Sequence, residues 1–414
     1  MIDLDNDLPR ASNKRIAVNI TADALRQVRG GHPWVWDGSI TKISALGKAG
    51  DLAVIFGDKR EFVGIGLWDP DAAIAVRMLH AGSPRTIDDT FFADRLLESV
   101  ARRQPLHDDP STTGYRLVHG ENDGLPGLVV DRYDRTLVLK LDSPVWVPHL
   151  RSLVPPLVDL ADAERLVLRA SRRIEQLLAP PLRNNPTLVG NAPTAAVEFL
   201  ENGLLFEADV ERGQKTGHFL DQRDNRLLLG DRCGDASVLD LFCNTGGFSV
   251  YAAAGGARSV HSIDVSHHAV EATNRHIERN RERRGYKTVH TALVADAFDA
   301  MADLVAQNRR FDVVVVDPPS FAPNAAAVPA ALRAYQRLTS MAVDLLASGG
   351  TLLQASCSSR ISSDEFHHLV SDEIQAAGFQ EVDAMRTAHD LDHPIGFPHG
   401  AYLKATLTGV APAR

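Results

Sequence analysis

Val238-Leu-Asp-Leu-Phe-Cys-Asn-Thr-Gly-Gly-Phe-Ser249 is the stretch on which the fold turns. An apolar run, 238–242, meets an Asn-Thr-Gly-Gly turn and leaves it as a helix-forming segment. The same alternation continues to the end of the chain. Strands are expected at 259–263, 289–294, 311–316, 351–355, 381–388 and 402–407. Helices are expected at 266–284, up to about 308, at 328–347 and at 363–377. The run at 311–316, Phe-Asp-Val-Val-Val-Val, reads as a parallel strand buried on both faces. Strand–helix alternation of this kind predicts α/β architecture over 204–414: a Rossmann-like, doubly wound sheet of seven strands with right-handed crossovers.

In such a sheet, ligands bind beyond the carboxyl ends of the strands, near the first strand–helix turn. Gly246 and Gly247 let backbone approach a ligand closely there. Their spacing is not G-x-G-x-x-G, so no diphosphate cradle is expected. Asp240 sits inside the strand just before the turn. A carboxylate at that place suits a ligand with a cationic ammonium better than a pyrophosphate. Asp264 ends the second strand, where a carboxylate can grip both ribose hydroxyls. Asp296 ends the third strand and Asp317 the fourth, which puts four acids on one rim. Each could instead cap a helix, since Asp is favoured there. Four in this order beside Asn244-Thr-Gly-Gly247 point to a ligand.

Asp317-Pro-Pro-Ser-Phe321 follows the fourth strand. Pro318 and Pro319 make that loop rigid and aim backbone carbonyls into the site; the loop resembles the D/N-P-P-aromatic loop of amino-methylating nucleic-acid enzymes, a likeness by which Phe321 would stack a substrate base. The fifth strand ends at Leu353-Gln-Ala-Ser-Cys-Ser-Ser359, which brings Cys357 to the same rim. A thiolate there could add to C6 of a pyrimidine and make C5 nucleophilic. Asp317 could hydrogen-bond N3 or N4 of the same base. The bland alternative for Cys357 is an inert buried thiol. Cys243 reads as packing, and Cys233 lies in a turn with no role.

Working outward, residues 85–200 read as a mixed α+β domain. It has a helix at 88–103, strands at 115–118, 127–130 and 137–141, and seven prolines between 148 and 193 that break up the rest. Residues 13–81 form a small β-rich domain with short apolar runs at 51–56, 62–67 and 74–78. Two or three domains suit 414 residues at roughly 150 per domain. A composition 44% hydrophobic and 23% charged excludes a disordered chain. Three cysteines cannot form a disulfide framework, and free thiols fit a reducing cytoplasm. The acidic N-terminus is no secretory signal, and the longest uncharged apolar run, 241–257, carries four Gly, so no membrane association is expected. A net charge of −9 speaks against non-specific coating of nucleic acid. The basic runs at 271–287 and 165–183 read as solvated helix faces. No metal is expected: H-E-x-x-H is absent, and adjacent His pairs at 267–268 and 367–368 point apart.

The acid-bearing rim resembles that of methyltransferases that use S-adenosylmethionine. By that resemblance the loop carrying Phe242, Asn244, Gly246 and Gly247 faces the methionine end of the cofactor. Asp264 would hold the ribose, and Asp296 the adenine amino group. Longer motifs extend the likeness over nearly the whole chain. Arg29-Gly-Gly-His-Pro-Trp-Val-Trp36 looks like the opening motif of a PUA module. Tyr115-Arg-Leu-Val-His-Gly-Glu-Asn-Asp-Gly-Leu-Pro-Gly-Leu-Val-Val-Asp131 looks like a central-domain signature. Gly213-Gln-Lys-Thr-Gly-His-Phe-Leu-Asp-Gln-Arg-Asp-Asn-Arg226 and Cys357-Ser358 with His393-Pro394 and Tyr402-Leu-Lys404 complete it. The chain thus resembles the bacterial 23S rRNA 5-methylcytosine methyltransferases of the RlmI type. The resemblance implies S-adenosylmethionine as cofactor, Cys357 as nucleophile, and 23S rRNA or a large-subunit assembly intermediate as partner. It implies RNA contact by the PUA-like module, and it sets Gln222 and Arg223 beside the cofactor. Exposed faces on the two N-terminal domains would permit a homodimer. Ser320 departs from the basic residue, and His218 from the aromatic one, frequent in relatives.

Three other readings stay open at this point. Methylation of a ring or exocyclic nitrogen, for example on guanine, would leave Cys357 dispensable. A non-catalytic RNA-binding or ribosome-assembly factor would bind the cofactor without turnover. A nicotinamide oxidoreductase would need the phosphate cradle that is absent here.

Overall fold

A computed structural model describes residues 3–4, 6–57 and 59–413. The chain divides into two compact units. The first holds residues up to 200, 207–220 and 391–400; the second holds 201–206, 221–390 and 401 onward.

In the first unit, a six-stranded sheet runs in the order Trp34–Trp36, Ile74–Ala81, Phe62–Trp68, Leu52–Phe56, Arg15–Ile20, Ile40–Ile43. Ile16, Val18, Ile55, Val63 and Val76 fill its core with Leu25 and Val28 of the helix Ala22–Arg29. A five-stranded sheet follows, in the order Thr187–Val189, Arg165–Ala170, Thr136–Leu141, Leu128–Tyr133, Gly114–His119. Helices Asp89–Arg102 and Leu150–Leu160 bury Phe91, Phe92, Leu96, Leu153 and Leu157 against it.

Two expectations need correction here. The prolines do not break the chain at 155 and 156, since both lie inside Leu150–Leu160. Burial of Leu150, Leu153, Val154 and Leu157 along one face outweighs the hydrogen bonds that the two prolines forgo. The Arg-rich run at 165–183 is not a single solvated helix face. Arg165 and Arg169 lie on a strand and donate to the carbonyls of Asn191, Val210 and Gly213. Arg183 donates to the carbonyls of Glu175, Gln176 and Leu178. Guanidiniums here saturate loop carbonyls.

The second unit is the expected seven-stranded sheet. Its strands are β1 (Ser237–Leu241), β2 (Ser259–Asp264), β3 (Val289–Val294), β4 (Phe311–Val316), β5 (Leu346–Ser356), β6 (Phe379–Thr387) and β7 (Lys404–Pro412). The spatial order is β3-β2-β1-β4-β5-β7-β6. β1 to β5 pair in parallel, while β7 is antiparallel to both β5 and β6. The helices are α1 (Arg223–Gly230), α2 (Gly247–Ala254), α3 (His267–Arg284), α4 (Ala297–Ala306), α5 (Val328–Leu345) and α6 (Ser363–Ala376). Val313–Val316 are buried on both faces of the sheet, as a central parallel strand requires. Among the described residues no helix is long and apolar enough to cross a membrane.

Candidate active site at the carboxyl rim of the sheet

Because β1 to β5 are parallel, their carboxyl ends share one edge. Asp264 is the last residue of β2, Asp296 follows β3, Asp317 follows β4 and Cys357 follows β5. Asp240 lies one residue before the end of β1 and is fully buried.

The turn from β1 into α2 is strained. Phe242 and Asn244 adopt φ of 59° and 48°, left-handed values that cost non-glycine residues about 1–3 kcal/mol each. Three contacts hold it. The Asn244 N–H donates to Asp264 Oδ2 at 2.9 Å, Thr273 Oγ1 donates to the Asn244 carbonyl at 2.9 Å, and His276 Nδ1 donates to the Thr245 carbonyl at 2.8 Å. A Cβ on Gly246, where φ is 79°, would lie 2.5 Å from Thr273 Cγ2. The same helix that pins the turn therefore excludes any side chain at 246.

Asp240 Oδ2 accepts from Ser249 Oγ at 2.5 Å, and the chain continues to Ser262 Oγ and His290 Nε2 at 2.6 and 2.9 Å. Asp240 Oδ1 is buried with no hydrogen-bond partner among the described residues. Burial pushes the Asp240 carboxyl up to about 7 against the pull of the Ser249 hydroxyl, and the charges of Asp317 and Asp264 add to the rise. A bare buried carboxylate oxygen among like charges fits a cationic ligand, which S-adenosylmethionine is.

Asp264 spends both oxygens on backbone, accepting from Asn244 and, at 2.8 Å, from Ser266. Val265 beside it is 73% exposed. An aliphatic face next to a strand-ending acid suits a nucleoside. Sequence reasoning passed over Val265, although an apolar residue after such an acid is a legible signal. Asp296 caps α4, accepting from Phe298 and Asp299 at 2.9 and 3.2 Å. Asp296 thus serves as a helix cap through Oδ1, whereas α2 and α3 are capped by Gly246 and Ser266.

Gln222, expected at the cofactor, is buried and donates through Nε2 to Asp317 Oδ1 at 2.9 Å. Its Oε1 accepts from Asn225 Nδ2, whose Oδ1 accepts from Thr387 Oγ1, both at 2.5 Å. The Thr387 hydroxyl orients both amides so that N–H faces Asp317. Arg223 is buried 3.6 Å from both Asp390 and Asp224. Pro318 is buried and Pro319 exposed. The Phe321 ring, expected to face substrate, lies 5.2 Å from Tyr335 and packs onto the core.

Cys357 is half-buried, while Cys233 and Cys243 are buried. Burial pushes the Cys233 thiol up to about 12 and raises Cys243 too. Behind Cys357, Lys404 opens β7 opposite Ser356. Its Nζ donates to the carbonyls of Ser358 and Ile361, the latter at 2.6 Å.

The first unit carries a surface cluster of rings. Trp34 lies 5.2 Å from Phe397, 5.8 Å from Trp36 and 6.0 Å from His399. Trp34 Nε1 donates to Glu121, which Arg77 also holds. Trp36 is 41% exposed.

Known proteins share this fold. A family model described as S-adenosylmethionine-dependent methyltransferase matches residues 168–405, and one described as PUA-like domain matches 18–81. A ribosomal RNA large subunit methyltransferase of Deinococcus radiodurans is 39% identical over 96% of this chain and 98% of its own. Ribosomal RNA large subunit methyltransferase I of Shewanella amazonensis is 38% identical over 92% of this chain and 95% of its own. A solved Streptococcus mutans chain, described as a SAM-dependent methyltransferase, shares the fold with a TM-score of 0.79 at 20% identity, covering 95% of this chain and 99% of that one. The chain therefore belongs to the S-adenosylmethionine-dependent methyltransferase family, in the branch that pairs this fold with a PUA-like domain and includes the ribosomal RNA large subunit methyltransferases.

Proposed function

We propose that this large-subunit rRNA methyltransferase acts on C5 of a cytosine in 23S rRNA through a covalent adduct at Cys357. The rRNA class of substrate is carried over from the relatives. One observation carries the chemistry: Cys357, the half-buried thiol among three cysteines, ends the strand next to the one that delivers Asp317. Carbon 5 of cytosine is a weak nucleophile. The Cys357 thiolate adds to C6, and the electron pair of the C5–C6 bond becomes available at C5. Asp317, oriented by Gln222, accepts a hydrogen bond from the base at N4 or from a protonated N3, which favours this addition. S-adenosylmethionine, when bound, supplies the electrophilic methyl that C5 takes. The C5 proton then leaves to water, the C5–C6 double bond reforms, and the C6–S bond breaks to release Cys357.

Asp240, the loop 242–247, Asp264 and Asp296 would hold the cofactor. The exposed Trp36, beside Trp34, whose ring also meets His399, supports RNA contact by the PUA-like unit. On this reading the protein works in the cytoplasm, on 23S rRNA or a large-subunit assembly intermediate.

The test is methyl transfer from labelled S-adenosylmethionine to unmodified 23S rRNA, digested to nucleosides, with wild type beside Cys357→Ala. Labelled 5-methylcytidine from wild type alone is expected. A methylated purine, or full activity in the variant, overturns the assignment.

A further inference from the structure

We propose that Lys404 is a positioning residue for Cys357: its buried ammonium is the counter-charge of the Cys357 thiolate and ties down the loop that carries it. The proposal rests on the reading of Cys357 as nucleophile. Lys404 is 2% exposed and pairs in register with Ser356, the residue before Cys357. Its Nζ donates to the carbonyls of Ser358 and Ile361, just beyond Cys357. Those carbonyls are dipoles and leave the ammonium's full charge unbalanced. No carboxylate forms an ion pair with Lys404 among the described residues, yet buried lysines are rare unless paired.

The groups around the pair narrow the choice of anion. Glu365 on α6 is exposed. His367 on α6 is pulled down to about 4 by burial and stays neutral. Tyr335 on α5 is pushed up by burial and also stays neutral. Cys357 and Asp317 both raise Tyr335, and Asp317, turned to Gln222, follows the strand next to that of Cys357 and brings its negative charge there. That charge opposes ionisation of the thiol, so a cation is needed to offset it. Burial pulls Lys404 down to about 8, and Cys357 first and the exposed Glu365 second act on it in the opposite sense. Two N–H bonds of the ammonium are spent on the carbonyls of Ser358 and Ile361, so its charge acts on Cys357 through space rather than through a hydrogen bond. Ionisation sends the thiol proton to solvent, and Lys404 keeps its own. The same charge helps sulfur leave C6 at the end of the reaction, since a more acidic thiol is the better leaving group.

The experiment uses the full chain and iodoacetamide, with alkylation of the Cys357 peptide followed by mass spectrometry from pH 5.5 to 9. The buried Cys233 and Cys243 thiols do not compete. Lys404→Met is expected to slow alkylation at pH 7 about tenfold and to raise the pH of half-reaction. A merely structural tie would lower the melting temperature and leave that pH unchanged, which overturns the proposal. Should Lys404→Met fail to fold, Lys404→Arg decides. Its retained charge should keep the pH of half-reaction at the wild-type value, and a rise in that pH overturns the proposal. Methyl transfer by Cys357→Ala reads the nucleophile separately. If that variant is inactive while Lys404→Met alkylates like wild type, only the role of Lys404 falls.

Discussion

Asp240→Asn tests the charge logic of the cofactor site. In the folded protein the carboxyl titrates at about 7 against an ordinary 3.8, because it is buried beside Asp317 and Asp264. A raised carboxyl stabilises the ligand-free fold only while it is protonated. That stability is fully present below pH 3.8 and is lost as pH rises to about 7, for a total of about 4 kcal/mol. A bound cation reverses the balance by taking the ionised form. Below pH 7 the cofactor must displace a proton from Asp240, so its Kd should tighten about tenfold per pH unit and level off above 7. Between pH 5.5 and 7.5 that amounts to about 25-fold. Isothermal titration calorimetry in two buffers of different ionisation enthalpy reads both the affinity and the proton released. Asp240→Asn should bind weakly with a flat profile. S-adenosylhomocysteine keeps the ammonium and lacks the sulfonium charge, so a retained slope with it assigns Asp240 to the ammonium. A wild-type affinity that ignores pH, or equal slopes in wild type and Asp240→Asn, would refute the reasoning.

Other perturbations probe separate contacts. Asn225→Asp removes the N–H that Gln222 Oε1 accepts, so the Gln222 amide should turn and withdraw its own N–H from Asp317. At about 1–3 kcal/mol this lowers kcat about 5- to 150-fold in methyl-transfer assays, with cofactor Kd within about twofold. Glu201→Gln breaks a buried two-pronged pair with Arg226, 2.8 and 2.7 Å long, and should cost about 3–5 kcal/mol of stability, read from the urea midpoint. A loss below about 1 kcal/mol would contradict the pair's importance. Trp36→Ala removes the exposed ring of the aromatic cluster and should weaken binding of an rRNA fragment about tenfold without changing its salt slope. A changed salt slope with unchanged low-salt affinity would assign Trp36 to packing.

The catalytic sheet was legible because its signals are local. Val289–Val294 and Phe311–Val316 lie where expected, and Ser237–Leu241 is one residue from the expected 238–242. Each strand-ending acid was legible for the same reason: parallel pairing brings every carboxyl end to one edge. The helix Leu150–Leu160 was illegible because its prolines argue locally against it and only burial argues for it. The hydrogen bond from Gln222 to Asp317 was illegible because the two lie 95 positions apart. No periodicity reports a contact of that span. The placement of 391–400 in the first unit, where Phe397 and His399 complete the cluster around Trp34, has the same cause.

The rim has an electrical order that follows the order of its strands. β3, β2, β1 and β4 bring Asp296, Asp264, Asp240 and Asp317, all anionic or ready to become so. β5 brings the thiol, and β7 sets the Lys404 ammonium behind it. The proposed reaction needs that polarity. A cationic methyl donor sits on the acid side and loses its charge as the methyl leaves, while the nucleophile on the other side must first become an anion. Asp317 stands at the boundary, where its charge draws the donor and hinders the thiolate. Fixing it through Gln222 aims its hydrogen-bonding capacity at the base, and Lys404 offsets its field at sulfur. Removing either support should therefore harm Cys357 through opposite errors. Without Gln222 the base is held poorly beside a competent thiolate; without Lys404 a well-held base meets a protonated thiol. Raising the pH should rescue methyl transfer by Lys404→Met and leave Asn225→Asp unrescued, and rescue of both would show that the two supports do not divide the work in this way.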